Sequence, residues 1–174
     1  MKYSLRLILI IGLVVVGAVG AQQEDENSTT ATTTGTPAGR TFTLELKNLI
    51  TDGGQEGTGE VVIQTVPEWA PLGAAHFHSL MDEGFYKDCE FFRVVPDFVV
   101  QFGIAAVPGQ FPGSDVPIKD DPVVSTNSYG SLSFATAGPE TRTTQLFINL
   151  KDNTRLDSQG FSPFAKVIRW GFIC

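Results

Sequence analysis

The stretch FFRVVPDFVVQFG, residues 91–103, is apolar apart from Arg93, Asp97 and Gln101. Residues four apart share a helical face, so the spacing of these three polar residues also fits a helix. The valines and phenylalanines favour strand, however, and Pro96 would break a helix interior. Arg93 and Gln101 are an even number of residues apart, so on strands without a bulge they point to one face. The pattern therefore predicts either a solvated strand face with ion pairs or the polar wall of a pocket.

The composition limits the kinds of partner that the chain can bind. It has 174 residues, a formal net charge of −7 and a pI of about 4.7. That length suits one domain with additional segments. No run of lysine and arginine is present, and phosphate binding needs a clustered basic surface. We therefore expect no nucleic-acid partner.

The first 39 residues are predicted to precede the folded domain. Residues 1–21 have a basic start, an apolar run and small residues at the end, which is the layout of a secretory signal peptide. An uncleaved signal-anchor that tethers the protein to a membrane is the alternative. Residues 22–39 lack leucine, isoleucine, valine and aromatic residues and are predicted to be a disordered linker. A glycosylation sequon at Asn27 also favours export, to a secreted or endomembrane-lumen location.

The rest of the chain, residues 40–174, is predicted to be one mainly-β domain. Alternating or apolar segments bounded by Gly, Pro and Asp clusters predict seven strands, at about 40–47, 60–66, 89–95, 97–102, 131–135, 145–149 and 164–168. A glycine-rich turn is expected at 51–59, and a long ordered loop between 104 and 129. One helix is predicted from Pro71 to Gly84. Many short strands with a single early helix indicate a barrel or a sandwich.

Few residues suggest covalent or metal chemistry. Cys89 and Cys174 could pair in an oxidising compartment, but one buried thiol and one terminal thiol is the interpretation that we favour. His76 and His78 are two apart on the predicted helix, so they make a poor metal pair and are expected on its surface. No G-x-S-x-G motif or metal-spaced cluster occurs. We therefore expect neither a bound metal nor a cofactor.

Four segments, in order, carry a resemblance to a known family: VPEWAPLGAAHFHSLMDEGFY, FFRVVPDFVVQ, SLSFATAGPETRTTQLFINL and LDSQGFSPFAKVI. From about residue 42 to 168 the chain resembles the cyclophilin-type peptidyl-prolyl cis-trans isomerases. The resemblance implies a closed antiparallel eight-stranded β-barrel with capping helices and a groove outside the barrel. In the family a second helix and a closing strand follow the KVI segment. Because this sequence stops at Cys174, we expect both elements to be missing and the domain to be poorly stable.

The resemblance implies a role for each matched position. Arg93 falls on the catalytic arginine, whose guanidinium donates to the prolyl nitrogen as the amide twists. The implied contacts with the substrate are Phe98, Phe134, Phe147 and Leu156 in the proline pocket, and Gln101, Thr136, Ala137, Gln145 and Phe161 in the groove. Each has an ordinary alternative: a surface ion pair for the arginine, plain core for the phenylalanines and solvated strand positions for the glutamines.

Four positions depart from the family pattern. Arg155 stands where members that bind cyclosporin tightly carry tryptophan, and Phe161 falls near a groove histidine, so we expect weakened cyclosporin binding. Thr136 replaces a frequent asparagine, and Phe102 replaces a glycine. None of these removes the implied catalytic arginine.

The expected function is peptidyl-prolyl cis-trans isomerisation that assists protein folding in the secretory pathway or another non-cytosolic compartment. Its partners would be proline-containing segments of client proteins, with no membrane span after signal cleavage. The main alternative is a non-catalytic cyclophilin-like peptide-binding module. A secreted β-barrel that binds a small ligand is a more distant one.

Overall fold

A computed structural model describes residues 38–50, 54 and 56–173, so the expected signal peptide and nearly all of the expected linker lie outside the described residues. The described elements are β1 (Thr41–Ile50), β2 (Glu56–Thr65), α1 (Pro71–Asp82), β3 (Arg93–Val95), β4 (Val99–Phe102), β5 (Ser131–Phe134), β6 (Leu146–Asn149), a 3₁₀ helix (Thr154–Gln159) and β7 (Pro163–Ile173). No described helix is both long and apolar enough to cross a membrane.

The strands form one antiparallel sheet of seven, in the order β1-β2-β7-β5-β6-β4-β3. The mainly-β prediction is confirmed, and the described residues contain one strand fewer than the eight-stranded barrel. β2 starts at Glu56, earlier than predicted, because Gly57 and Gly59 pair with Leu49 and Leu46 of β1 instead of forming the expected turn. The pairing overrides the low strand preference of glycine.

The main core lies between α1 and one face of this sheet. Phe77 of α1 is fully buried, and its ring centroid lies 5.2 Å from both Phe42 of β1 and Phe164 of β7. Leu44 and Leu46 are also buried, as the alternation along β1 predicts. Aromatic pairs at such distances add stability beyond the burial of their area.

The prediction that both histidines lie on the helix surface is wrong. His78 is 8% exposed, and its Nε2 lies 2.9 Å from the hydroxyl of Thr65. His76 is half-buried, with its Nε2 2.8 Å from the carbonyl of Thr143. Each imidazole has a polar partner within hydrogen-bond distance, and this contact allows the ring to pack beside the apolar core.

The long segment 104–129 is anchored to α1 by one buried carboxylate. The N-cap residue of α1, Ala70, makes no side-chain capping bond; instead the Asp121 carboxylate accepts hydrogen bonds from the backbone N–H groups of Leu72 (3.0 Å) and Gly73 (2.8 Å). The same carboxylate pairs with Arg142 at 3.1 Å, and both side chains are buried. A side chain at Gly73 would approach this pair within 3.3–3.4 Å, so the close packing favours glycine there.

Cys89 is a free thiol buried in the core, and Cys174 lies outside the described residues. Its Sγ lies 3.0 Å from the carbonyl oxygen of Ile104. Burial, reinforced by the neighbouring charge of Asp88, raises the pKa of the Cys89 thiol to about 12. The thiolate is therefore scarce at neutral pH, and Cys89 is a packing residue rather than a nucleophile.

Candidate active site

A tight turn between β3 and β4 places the two polar residues of the opening stretch opposite each other. Asp97 occupies the left-handed region at φ 56°, and the N–H of Phe98 donates to the carbonyl of Val95 at 3.1 Å. Arg93 and Gln101 are consequently direct cross-strand partners. The predictions of one shared face and of Asp97 at the turn are both confirmed.

Side-chain hydrogen bonds extend this pair across the sheet. Arg93 Nη1 donates to Gln101 Oε1 at 3.2 Å, and Gln101 Nε2 donates to Gln145 Oε1 at 2.9 Å. Gln101 also stands opposite Phe147 of β6, so the polar pair adjoins an aromatic ring. The Arg93 side chain is exposed, and within the described residues its other N–H donors form no hydrogen bond.

Beside this polar row lies a pocket of about 180 Å³. It is lined by Arg93, Phe98, Val99, Gln101, Ala135, Thr136, Phe147, Leu156 and Phe161. Val99, Phe147 and Leu156 form a small buried apolar cluster, separate from the main core. The structure thus brings together seven of the residues implied by the resemblance: Arg93, Phe98, Gln101, Thr136, Phe147, Leu156 and Phe161.

A second pocket of about 200 Å³ adjoins the first and shares Ala135 and Thr136 with it. Two further predicted residues, Ala137 and Gln145, line this second pocket rather than the first. The hydroxyl of Thr136 lies 2.8 Å from that of Thr141, which ties the two ends of the intervening turn together. The two pockets form one continuous groove along the sheet.

Phe134 does not line the groove, which corrects the prediction from the resemblance. It pairs with Leu146 across β5 and β6, whereas its neighbour Ser133 pairs with Phe147. Successive strand residues point to opposite faces, so Phe134 turns into the main core. It is 1% exposed there, with its ring centroid 4.9 Å from that of Phe164.

Two wall residues, Val99 and Ala135, were missed by the sequence analysis. Strand parity could have identified Val99, because it lies two residues before Gln101 and therefore shares its face. The same rule could not have identified Ala135, because the sequence analysis assigned its neighbour Phe134 to the pocket and alternation would then have put Ala135 on the core side.

Buried amides fix the backbone of both aromatic walls. Asn153 Nδ2 donates to the carbonyl of Phe98 at 2.9 Å, and Asn127 Nδ2 donates to the carbonyl of Phe161 at 2.8 Å. Asn149 links the two, since it receives a bond from Asn153 (2.8 Å) and donates to Asn127 (3.3 Å). All three asparagines are buried, and this cluster, which we call the amide network, holds the pocket walls at fixed positions.

Asp157 joins the amide network to the 3₁₀ helix. Its carboxylate accepts from Asn127 Nδ2 at 2.7 Å, from the backbone N–H of Asn127 at 2.9 Å and from Thr126 Oγ1 at 2.6 Å. Partial burial opposes ionisation, but these hydrogen bonds outweigh it and lower the pKa of Asp157. These hydrogen bonds therefore favour the ionised carboxylate, which links the 3₁₀ helix to Asn127.

Sequence comparisons place this chain in a known family. Residues 48–172 match the family model described as cyclophilin type peptidyl-prolyl cis-trans isomerase/CLD. The chain is 33% identical over 124 residues to the peptidyl-prolyl cis-trans isomerase ppi1 of Schizosaccharomyces pombe, covering 69% of this chain and 79% of that one. It is 32% identical over 117 residues to a peptidyl-prolyl cis-trans isomerase of Acinetobacter baylyi, covering 64% and 62%.

A comparison with solved structures supports the fold. A Cryptosporidium parvum cyclophilin type peptidyl-prolyl cis-trans isomerase, crystallised in the presence of the dipeptide Ala-Pro, superposes with a TM-score of 0.55 at 24% sequence identity. The match covers 69% of this chain and 76% of that chain. The two chains therefore share an architecture.

Proposed function

This chain belongs to the cyclophilin-type peptidyl-prolyl cis-trans isomerase family, and we propose that it acts on Xaa–Pro bonds of proteins that fold outside the cytosol. The observation that carries the catalytic part of the proposal is the position of Arg93. Its guanidinium stands opposite Gln101 at the edge of an apolar pocket of about 180 Å³.

The reaction needs no nucleophile and no metal, only a way to lower a rotational barrier. Amide resonance sets this barrier at roughly 18–20 kcal/mol, and uncatalysed isomerisation takes tens to hundreds of seconds. In the twisted transition state the prolyl nitrogen loses conjugation and regains a lone pair. A guanidinium can then donate to that nitrogen, an interaction that the planar ground state does not offer. Arg93 lies at this rim, and within the described residues only one of its five N–H donors is engaged, by Gln101.

The apolar cluster supplies the second requirement, which is to hold one side of the bond still. Phe98, Phe147 and Leu156 offer a surface for a proline ring, and the amide network keeps the backbone of Phe98 in place. Gln101 is positioned to donate to the carbonyl of the residue before the proline while that residue rotates. The proline side of the bond is thus held still, while the residue before the proline can rotate.

Arg93→Ala tests the catalytic role. Loss of one aimed donor in a preorganised site typically lowers the rate by about 10²–10³. We expect this loss in kcat/KM for a Xaa-Pro peptide, measured by NMR exchange spectroscopy, with the circular dichroism spectrum unchanged. Arg93→Lys is the matched control, because it keeps the charge but loses the planar fork, and it should recover only part of the rate.

Wild-type turnover in folded Arg93→Ala would contradict this role for the arginine. If that variant and the wild type both bound the peptide without accelerating its isomerisation, the non-catalytic binding module would be the better description.

The compartment is proposed from the sequence alone, from residues 1–21 and the sequon at Asn27. We expect a C-terminal fluorescent fusion to enter the secretory pathway and lose the first segment. Asn27→Gln should abolish a mobility shift caused by glycosidase treatment. A diffuse cytosolic signal with Met1 retained would refute export while leaving the enzymatic proposal intact.

A further inference from the structure

The rim of the proline pocket carries a second cation that the proposed mechanism does not use. Arg155, in the 3₁₀ helix, precedes the pocket residue Leu156, and its guanidinium carbon lies 4.7 Å from the ring centroid of Phe98. Since Phe98 is itself a wall of the pocket, this contact holds a positive charge next to that wall.

The guanidinium of Arg155 is available to a ligand. The side chain is exposed, and within the described residues no carboxylate oxygen lies within 4.0 Å of it and no hydrogen bond occupies its donors. Asp157, two residues further on, is already engaged by Thr126 and Asn127. The aromatic ring therefore fixes Arg155 in place and leaves its five N–H donors unpaired.

The surrounding groove contains no competing negative charge. The residues that line the two adjoining pockets include no aspartate or glutamate, and their one ionisable member is the cation Arg93. The chain as a whole has a net charge of −7, so this rim is locally opposite in sign to the protein. The carboxylates nearest in sequence are Asp97, beside Phe98, and Asp157, which Thr126 and Asn127 engage; neither lies within 4.0 Å of the Arg155 guanidinium.

We propose that Arg155 forms an anion subsite beside the proline pocket and that the enzyme prefers Xaa–Pro segments with a carboxylate side chain next to the proline. This inference rests on the proposed function, since it names the substrate class of that same groove. A carboxylate matches the planar fork of a guanidinium in geometry as well as in charge.

Two peptide pairs test the preference, one with Glu or Gln directly before the proline and one with Glu or Gln directly after it. We expect the Glu peptide of at least one pair to have a kcat/KM, and an affinity in an NMR titration, roughly two- to fivefold higher than its Gln partner, as for an exposed ion pair. The ratio should fall towards one in 1 M salt, where the Debye length is about 3 Å.

Arg155→Gln should bring the Glu-to-Gln ratio close to one, and Arg155→Lys should retain part of it. Lys151→Gln is the matched control, because it removes one exposed cation four residues away that does not contact the pocket, and it should keep the wild-type ratio.

Equal affinity and turnover for both members of both pairs would overturn the subsite even if the enzyme is active. If no peptide is isomerised, the proposed function is overturned, and the ratio of the Glu and Gln peptide affinities still decides whether the subsite exists. A preference that Arg155→Gln leaves intact would also overturn the assignment.

Discussion

Strands β4, β5 and β6 present two unlike surfaces back to back. On one face Val100, Leu132 and Ile148 stand in register and are buried in the main core. On the other face, one residue along each strand, Gln101 and Phe147 stand in register within the groove. The same three strands thus carry the core and the site, and a shift of one residue separates them.

The two faces are held by different forces. Apolar burial and aromatic contacts fix the core face, where Phe134 and Phe164 are almost completely inaccessible. The groove face must stay open to a ligand, so it cannot be covered, and hydrogen bonds in the amide network position its walls instead. Substitutions on the core face should therefore change stability, and those on the groove face should change activity.

Phe134→Ala should give the largest effect, and it should be an effect on stability. Removal of a buried phenylalanine ring in a packed core costs about 3–5 kcal/mol, because a cavity adds to the lost transfer energy. Urea unfolding followed by circular dichroism measures it. A cost below about 1 kcal/mol would show that the face carrying Phe134 is not packed as described.

Phe147→Ala is the matched substitution on the groove face. The ring is 5% exposed but borders a pocket, so we expect only the transfer cost of about 1.5–3 kcal/mol. We expect kcat/KM to fall at least tenfold, because the proline ring loses a wall; tenfold corresponds to about 1.4 kcal/mol. The comparison between the two faces fails if Phe134→Ala lowers the activity of the folded protein more than Phe147→Ala does.

The sequence predicted the elements because these depend on local patterns, whereas most of the groove residues were implied by the family resemblance. Alternation in β1, the turn at Pro96 and Asp97, and the apolar segments of β4 to β6 are readable without tertiary contacts. Phe134 was misplaced because the resemblance was used to assign it to the pocket, whereas alternation along β5 and its register against β6 put its side chain on the core face.

The amide network could not be predicted for a different reason. Asn127, Asn149 and Asn153 are polar residues in loops or at strand ends, where sequence patterns predict exposure. Their burial follows from three segments that converge behind the pocket, and this is a property of the fold. The burial of His78 is a similar case, because its hydrogen-bond partner Thr65 lies on another element, β2.

Asp157→Asn tests whether the amide network supports the groove. The substitution keeps the shape but loses a charged acceptor for Asn127 and Thr126, and hydrogen bonds of this kind contribute roughly 1.5–3 kcal/mol when well buried. Asp157 is partly exposed, so we expect about 1 kcal/mol at pH 7, with weaker peptide binding. Asp115→Asn, at an exposed site without a described partner, is the control and should be neutral.

The pH dependence of the Asp157→Asn effect follows from the lowered pKa of Asp157. A carboxyl whose pKa is lower in the folded state stabilises it above the unfolded pKa, and this contribution disappears as the pH falls through the folded value. The stability gap between wild type and Asp157→Asn should therefore narrow below about pH 4. A gap that stays constant from pH 7 to pH 3 would mean that the carboxylate charge plays no part.

The smallest predicted effect is a loss of stability on mild acidification, caused by the two histidines of α1 beside the main core. Burial lowers the pKa of both, with the nearby charge of Arg40 adding to the effect at His78 and that of Arg142 at His76. The unfolded chain then binds more protons than the folded one below about pH 6.5, so stability falls as the pH drops from 7 to 5.

Carboxylates titrate mainly below that window, and the sequence contains no other histidine, so the slope between pH 7 and pH 5 reports on this pair. Linkage limits the slope to about 1.4 kcal/mol per pH unit for each histidine, and we expect a total loss below about 1 kcal/mol because His76 is only half-buried.

Urea midpoints of wild type, His76→Gln, His78→Gln and the double variant measure this loss of stability. The double variant should lose the slope, and the more buried His78 should account for the larger part. An unchanged slope in the double variant would place the titrating group elsewhere, and a slope of opposite sign would mean that the folded protein favours charged imidazole.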